Sequence, residues 1–234
     1  RLTTRSLIKK LASNMWLAIV PALNEAERIG EVVTSLRGVV DEVVVIDDGS
    51  HDQTRAKAQA AGAIVLTHKI NRGQGAALET GHAYARQRGA KYVVHFDGDG
   101  QLDVGDIVPA VRFLEEKNVD IVLGSRFINS AEHLPWFKRH ILLPAARWFH
   151  RIFFGLHLSD AHNGFRVLGP RALVSIKLTQ DRMAHATEIL AHIKKHNLTW
   201  QEFPVNVRYH EYGQSSRGAV TIVRDLVLGS FIKK

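Results

Sequence analysis

The chain of 234 residues is 45% hydrophobic and 23% charged and has no cysteine, which is the make-up of a globular protein. It excludes a disulfide scaffold, a Cys-ligated zinc or iron–sulfur site, and a thiol nucleophile. Lys and Arg number 31 against 23 Asp and Glu, a formal charge of +8 that attracts polyanions: nucleic acid, phosphorylated ligands or an anionic membrane face.

No apolar run reaches the roughly 20 residues of a spanning helix. Arg1 to Ala12 is basic without a long apolar stretch, so no signal peptide is expected. Met15 to Val20 is a short apolar run ending at Pro21, suited to a buried strand. Asn24 is placed to cap an amphipathic helix over Glu25 to Val40. Glu42 to Asp47 is β-branched and ends in the turn cluster Asp47-Asp48-Gly49-Ser50. A helix over Asp52 to Ala61, a strand over Ala63 to Leu66 and a helix over Gly73 to Arg88 follow. Next come a strand over Lys91 to Phe96, a helix over Asp106 to Glu116 and a strand over Val119 to Leu123. Strands alternating with helices of this length predict a parallel sheet covered on both faces. In such sheets ligands bind at the carboxyl ends of the strands.

The second half is less regular. Pro135 to Leu158 mixes bulky apolar residues with bases around Pro144. Asp160 to Leu168 reads as a turn entering a strand, Arg182 to His196 as a helix, Gln201 to Arg208 as a strand and Ala219 to Phe231 as a last helix. No repeat, linker or low-complexity tract divides the chain, so one domain over 1–234 is expected.

Asp97-Gly98-Asp99-Gly100-Gln101 follows a strand directly. Two carboxylates one glycine apart at a strand end can face one cavity, and such hard oxygen ligands suit Mg²⁺ or Mn²⁺. An acidic turn without metal reads the same in isolation. Asp47 and Asp48, with Asp52 and Thr54, form a second acidic strand end, and residues 21–25 a third loop on that edge. Asn71-Arg72-Gly73-Gln74-Gly75 opens a helix, where backbone N–H groups favour anions. Leu78 stands where a dinucleotide fingerprint needs its third glycine, and no phosphate-loop GxxxxGK[ST] occurs, which argues against nicotinamide enzymes and P-loop NTPases.

Taken together, PALNEA at 21–26, VVVIDDGSHDQT at 43–54, NRGQGAAL at 71–78, HFDGDGQ at 95–101, VLGSRF at 122–127, DAHNGFRVL at 160–168 and FPVNVRY at 203–209 resemble the family 2 glycosyltransferases of GT-A fold, over nearly the whole chain. Within them the chain looks most like the polyprenyl-phosphate sugar transferases. The resemblance implies an α/β GT-A fold: a single doubly wound, mostly parallel sheet flanked by helices, with an amphipathic helical acceptor region. It implies a nucleotide-sugar half at about 15–126 and an acceptor half at about 127–234. By position, Pro21, Leu23 and Glu25 would line the nucleotide pocket, and Asp47, with Asp48 beside it, would hold the nucleobase side. Asp97 and Asp99, with Gly98 between them, would flank the diphosphate, and Asp97, Asp99 and Gln101 would form the Mg²⁺ or Mn²⁺ site. Arg126 would contact phosphate, and Glu188 or Asp160 would be the acidic residue near the acceptor. Asp160 as a turn cap and Glu188 on a solvated helix face are the plain structural alternatives. His210 and Ser216 stand where polyprenyl-phosphate mannose synthases carry Arg and Lys, with Arg208 and Arg217 close by.

The implied reaction is an inverting transfer from a nucleotide-diphosphate-sugar to an undecaprenyl or dolichyl phosphate at the cytoplasmic face of the membrane. A lipid monophosphate is already largely ionised near neutral pH, because its second pKa is about 6, and needs no strong base. A saccharide hydroxyl, as in cell-surface polysaccharide assembly, would need a carboxylate such as Glu188 to take its proton. Trp136 to Leu158 interleaves aromatic and aliphatic residues with Lys138, Arg139, Arg147 and Arg151. Two short amphipathic helices joined at Pro144 would rest on an anionic membrane as a peripheral contact, which oligomerisation would reinforce. Helices packing the sheet, with their bases solvated, are the alternative.

Other signals are weaker. His192 and His196 have metal-ligand spacing without a completing carboxylate, and Asn197-Leu198-Thr199 is a sequon only for a secreted chain. The basic balance also fits a membrane- or nucleic-acid-binding module without catalysis. No nucleic-acid module is recognisable, however, and acidic strand ends repel a phosphate backbone, so no nucleic-acid partner is expected.

Overall fold

A computed structural model describes residues 14–128, 158–160, 163–182 and 184–207. Seven strands form one mixed sheet in the order β3-β2-β1-β4-β6-β5-β7. They are β1 (Trp16–Ala22), β2 (Glu42–Asp47), β3 (Ile64–Thr67), β4 (Tyr92–His95), β5 (Ile121–Ser125), β6 (Arg166–Leu168) and β7 (Trp200–Pro204). Between them run α1 (Ile29–Arg37), α2 (Thr54–Ala60), α3 (Gln74–Arg88), α4 (Ile107–Lys117), α5 (Pro170–Ser175) and α6 (His185–Lys195). All pairings are parallel except those of β6, which lies antiparallel between β4 and β5.

The central strands are apolar nearly throughout because both faces are covered. Ala18, Val20, Val43, Val45 and Val94 face one core layer, which α1 closes with Ile29, Val32, Val33 and Leu36 and α4 with Ile107, Ala110, Val111 and Leu114. The alternate residues Leu17, Ile19, Val44, Ile46 and Val93 face the other layer, beneath α3, α5 and α6. This period-2 split along a strand, set against 3.6-residue stripes on the helices, is what makes the sheet doubly wound.

Element ends moved where local chemistry overrode pattern. The first helix was expected to start at Glu25 under an Asn24 cap. It starts at Ile29, because Asn24 adopts a left-handed φ of 56° and its side chain accepts from the His51 backbone N–H at 2.9 Å. β1 runs on through Pro21 to Ala22, pairing as far as Asp47. α5 was not expected; Pro170 opens it at the first turn, where the missing N–H costs nothing. α3 stops at Gly89 and α4 at Asn118, both in the left-handed conformation that ends helices. The expected elements within 135–157 and 219–231 lie outside the described residues.

α3 presses directly on β1. A Cβ at Gly81 would fall 2.4 Å from Cγ2 of Ile19, a buried β-branched side chain with little room to turn. Gly81→Ala is therefore expected to lower stability by about 1–3 kcal/mol through overpacking, although alanine is the better helix former by about 1 kcal/mol. Chemical denaturation measures this, and a net gain would show that α3 has room to lift from β1.

Candidate active site

The carboxyl ends of β1, β2 and β4 open on a cleft of about 780 Å³. Its lining brings together Pro21, Leu23, Glu25, Asp48, Asp97, Gly98 and Asp99, seven of the residues expected to hold a donor. Asn71, Gly73 and Gln74, from the helix opening expected to favour anions, and Arg182, to which no role was assigned from sequence, complete its wall.

Hydrogen bonds lace the loops to one another. Ser50 Oγ accepts from the Asn24 N–H, Thr54 Oγ1 from the Glu25 N–H and Asp52 from the Ala26 N–H, so the turns after β1 and β2 move as one. Asp47 turns back to accept from Ser50 N–H at 3.0 Å and does not line the cleft. Asp48 accepts from the N–H groups of Arg72 (3.0 Å) and Gly73 (2.6 Å) and meets His68 Nδ1 at 2.6 Å, which fixes the start of α3 against β2.

Asp97 is the most constrained acid. Burial, and then the neighbouring Asp99, push its pKa up to about 6, with Arg166 and a hydrogen bond from Gln74 Nε2 at 3.1 Å pulling the other way. The backbone of Gly164 abuts it, and a Cβ there would lie 2.0 Å from its Oδ2, so no other residue fits without moving Asp97. Asp99 accepts from the Gln101 N–H, and Glu25 is raised by burial and by Asp99. A carboxylate this reluctant to ionise beside a second one is a place where a divalent cation relieves repulsion. The donor set is all oxygen, which fits Mg²⁺ or Mn²⁺. Among the described residues no group of three or more acidic, His or Cys side chains could hold a metal, so a cation here would draw its remaining ligands from phosphate oxygens or water.

The acceptor-side residues are placed otherwise. Arg126 clasps Asp160 through Nε at 2.6 Å and Nη2 at 2.9 Å, a bidentate pair that Asn163 joins. Buried Arg166, its pKa lowered to about 10 by burial, lies near enough to Asp97 and Asp160 to feel both charges. Glu188 is neither solvated nor in the cleft: it accepts from the backbone N–H groups of Thr179 and Gln180. Arg139, Arg147 and Arg208 lie outside the described residues. Gly164 and Arg166 belong to the motif DAHNGFRVL, so a signal for them existed, whereas Arg182 follows no motif.

The profile of glycosyl transferase family 2 matches residues 17–182, which hold every residue of this cleft. The chain belongs to that family. This family 2 glycosyltransferase, dependent on a nucleotide sugar, is 32% identical over 232 residues to an uncharacterized protein of Methanocaldococcus jannaschii, covering 97% of this chain and 95% of that one. It is 29% identical to a UDP-N-acetylglucosamine–dolichyl-phosphate N-acetylglucosaminyltransferase of Methanococcus voltae, over 88% of this chain and 90% of the relative. Its GT-A fold matches glucosyl-3-phosphoglycerate synthase of Mycobacterium tuberculosis, solved with Mn²⁺, UDP-glucose and phosphoglyceric acid. That match has a TM-score of 0.69 at 21% identity and covers 96% of this chain and 81% of that one.

Because the metal-free pKa of Asp97 lies above its ordinary value, the folded protein binds an extra proton between about pH 4 and 6. The stability this group contributes is present at low pH and lost as pH rises through about 6. A cation bound at Asp97 would have to displace that proton. The rise in melting temperature on adding Mn²⁺ is thus expected to be small at about pH 5 and to reach its full size by about pH 7. A shift equal at both pH values would separate Asp97 from the metal.

Proposed function

We propose that the protein transfers a sugar from a nucleoside-diphosphate donor to a polyprenyl phosphate, with inversion, at the cytoplasmic face of a membrane. The observation that carries the acceptor class is the state of the acidic residues expected near it. Asp160 is held by Arg126, and Glu188 by the backbone of 179–180, so neither is poised to take a proton from a hydroxyl. An acceptor that arrives ionised needs no such base. Relatives of similar length point the same way: the dolichyl-phosphate enzyme above, and a polyprenol monophosphomannose synthase of Mycolicibacterium smegmatis, 26% identical over 88% of this chain and 82% of the relative.

In this reading Pro21, Leu23 and Glu25 bound the nucleoside side of the cleft. Asp97 and Asp99 would hold Mg²⁺ or Mn²⁺ at the diphosphate, while Gln101, the third expected ligand, is absent from the cleft lining and gives its N–H to Asp99. The cation supplies neutralisation of charge on the departing nucleoside diphosphate. Asp97 is fixed by Gly164, Gln74 and Arg166, so its oxygens need not reorganise when the bond breaks. Arg126, oriented by Asp160, is offered to the incoming phosphate. Contact through the basic, aromatic-rich segment 136–158 is the proposed means of reaching the lipid; among the described residues no helix is long and apolar enough to cross a membrane.

The test is product mass from purified protein, a panel of nucleotide sugars, and undecaprenyl or dolichyl phosphate against saccharide acceptors. Glycosylated lipid phosphate is expected. Product only on saccharides would replace this reading with the hydroxyl-acceptor alternative, and nucleotide-sugar binding without any transfer would remove both. Asp99→Asn is expected to lower turnover at least about a hundredfold with little change in melting temperature, since it removes a proposed metal ligand. Retained metal-dependent turnover would exclude that role. Arg147→Glu with Arg151→Glu should weaken co-sedimentation with anionic vesicles at least about tenfold, and unchanged binding would exclude the segment as the membrane contact.

A further inference from the structure

The lining of the cleft holds four acidic side chains, Glu25, Asp48, Asp97 and Asp99, and among the described residues one cation, Arg182. A nucleoside diphosphate brings further negative charge. The helix start that the sequence offered to it is partly engaged: Asp48 accepts from the Arg72 and Gly73 N–H groups just before the first turn, and the Asp181 carbonyl accepts from Ala76 N–H at 3.1 Å. Arg182 is exposed to the cleft, and no acidic side chain among the described residues pairs with it.

Its position is tightly built. Residues 176–182 form the connection between α5 and α6, and they are pinned along their length. Glu79 accepts from Leu178 N–H at 2.8 Å. Glu188 accepts from Thr179 N–H and Gln180 N–H, both at 2.9 Å at their shortest, and from the Thr179 hydroxyl. Arg72 pairs with Asp181 at 3.2 Å. The connection lies flat on the start of α3: a Cβ at Gly75 would fall 1.9 Å from the Gln180 carbonyl oxygen, and one at Gly73 would fall 3.0 Å from Arg182 Cγ. The stem of Arg182 therefore rests on Gly73, next to Gln74, whose amide touches Asp97. Arg182 thus joins the cleft lining from a connection whose backbone is held by two carboxylates, Glu79 and Glu188.

We propose that Arg182 is a phosphate-binding residue for the donor diphosphate, and that Glu188 is the positioning residue that, with Glu79, fixes the connection presenting it. The proposal rests on the nucleoside-diphosphate donor reading above. A guanidinium offers two parallel N–H donors to one phosphate and brings a full positive charge, where a helix end supplies only partial charge. Glu188→Gln sets an amide NH₂ against backbone N–H donors and so frees the connection without changing the cleft lining.

The experiment is titration of UDP, GDP and dTDP in the presence of Mn²⁺ into the wild type, Arg182→Ala, Glu188→Gln and the double variant, with donor KM and kcat on the same proteins. Arg182→Ala is expected to weaken the bound nucleotide about tenfold to a hundredfold, the size of a lost charged hydrogen bond. Glu188→Gln should weaken it similarly and raise donor KM with kcat little changed, and the double variant should be no worse than Arg182→Ala, because both lose one interaction. Should Glu188→Gln not fold, Thr179→Ala, which removes one donor to Glu188, should weaken binding about threefold. If the wild type binds none of the three nucleotides, the donor reading itself falls. If it binds and Arg182→Ala matches it, the present proposal is overturned. A loss confined to the KM for the lipid phosphate would place Arg182 at the acceptor and overturn it too. A kcat loss of about a hundredfold or more in Glu188→Gln with nucleotide affinity intact would make Glu188 the base instead.

Discussion

A carboxylate buried beside another carboxylate is the constraint on which the rest of the molecule depends. Asp97 stands where β4 ends, and burial together with Asp99 makes its ionised form costly. Everything packed on it lowers that cost or fixes its orientation. β6 enters the sheet antiparallel between β4 and β5, pairing His95 with Arg166, and so brings the Gly164 backbone and the Arg166 guanidinium from some seventy residues further along the chain. A purely parallel sheet with a helical crossover at this place would deliver a strand from the opposite end, without that turn at the carboxyl edge. The strand reversal is thus part of the site, and the two halves of the chain are joined through an acid rather than merely through core.

The polar residues around the cleft divide into those that face it and those that hold the wall still. Asn24, Ser50, Asp52 and Thr54 bind one another's loops. Asp47 and Asp48 are adjacent, alike and both buried, yet only Asp48 reaches the cleft, and it does so with its oxygens already engaged by the 72–73 backbone. Local fastening of this kind makes a cleft of loops behave as a rigid surface, which is what transfer chemistry with little covalent participation by the protein requires.

How far the sequence discloses this depends on the range of the interaction. Runs such as Met15–Val20 and Glu42–Asp47 betray buried parallel strands because both faces are covered, and strand ends carrying Asp97 and Asp99 announce the cleft. Asn24 misleads because a capping residue and a left-handed loop residue are the same amino acid, and the choice is made by His51, twenty-seven positions away. The surroundings of Glu188 are equally hidden: an acid at a suggestive position invites a chemical reading, while it accepts from two peptide N–H groups, which carry no side-chain identity, and from the Thr179 hydroxyl. Arg182 leaves no pattern in the chain. Its meaning comes from Gly73 and Gly75, whose missing side chains admit the connection onto α3. α5 escapes notice because six residues are too few for a periodic signal.

Behind Asp97 the sheet carries a second polar layer that bears on its charge. His95 and His82 stack in the core with their Nε2 atoms 2.7 Å apart, a contact that accommodates one proton between them and not two. Burial lowers both imidazoles below their ordinary range; Glu79 pulls His82 back in part, and the Arg166 charge adds a smaller lowering to each. Both shifts disfavour the charged imidazole, and the constant positive charge that Asp97 feels from this layer is that of Arg166. That division matters for the acid. A counter-charge on histidine would come and go over the same pH range in which Asp97 itself titrates, whereas a guanidinium, even with its pKa brought down to about 10, remains charged throughout that range. The site thus sets a titrating carboxylate against a constant cation, and its charge state is governed by what enters the cleft rather than by the core beneath it.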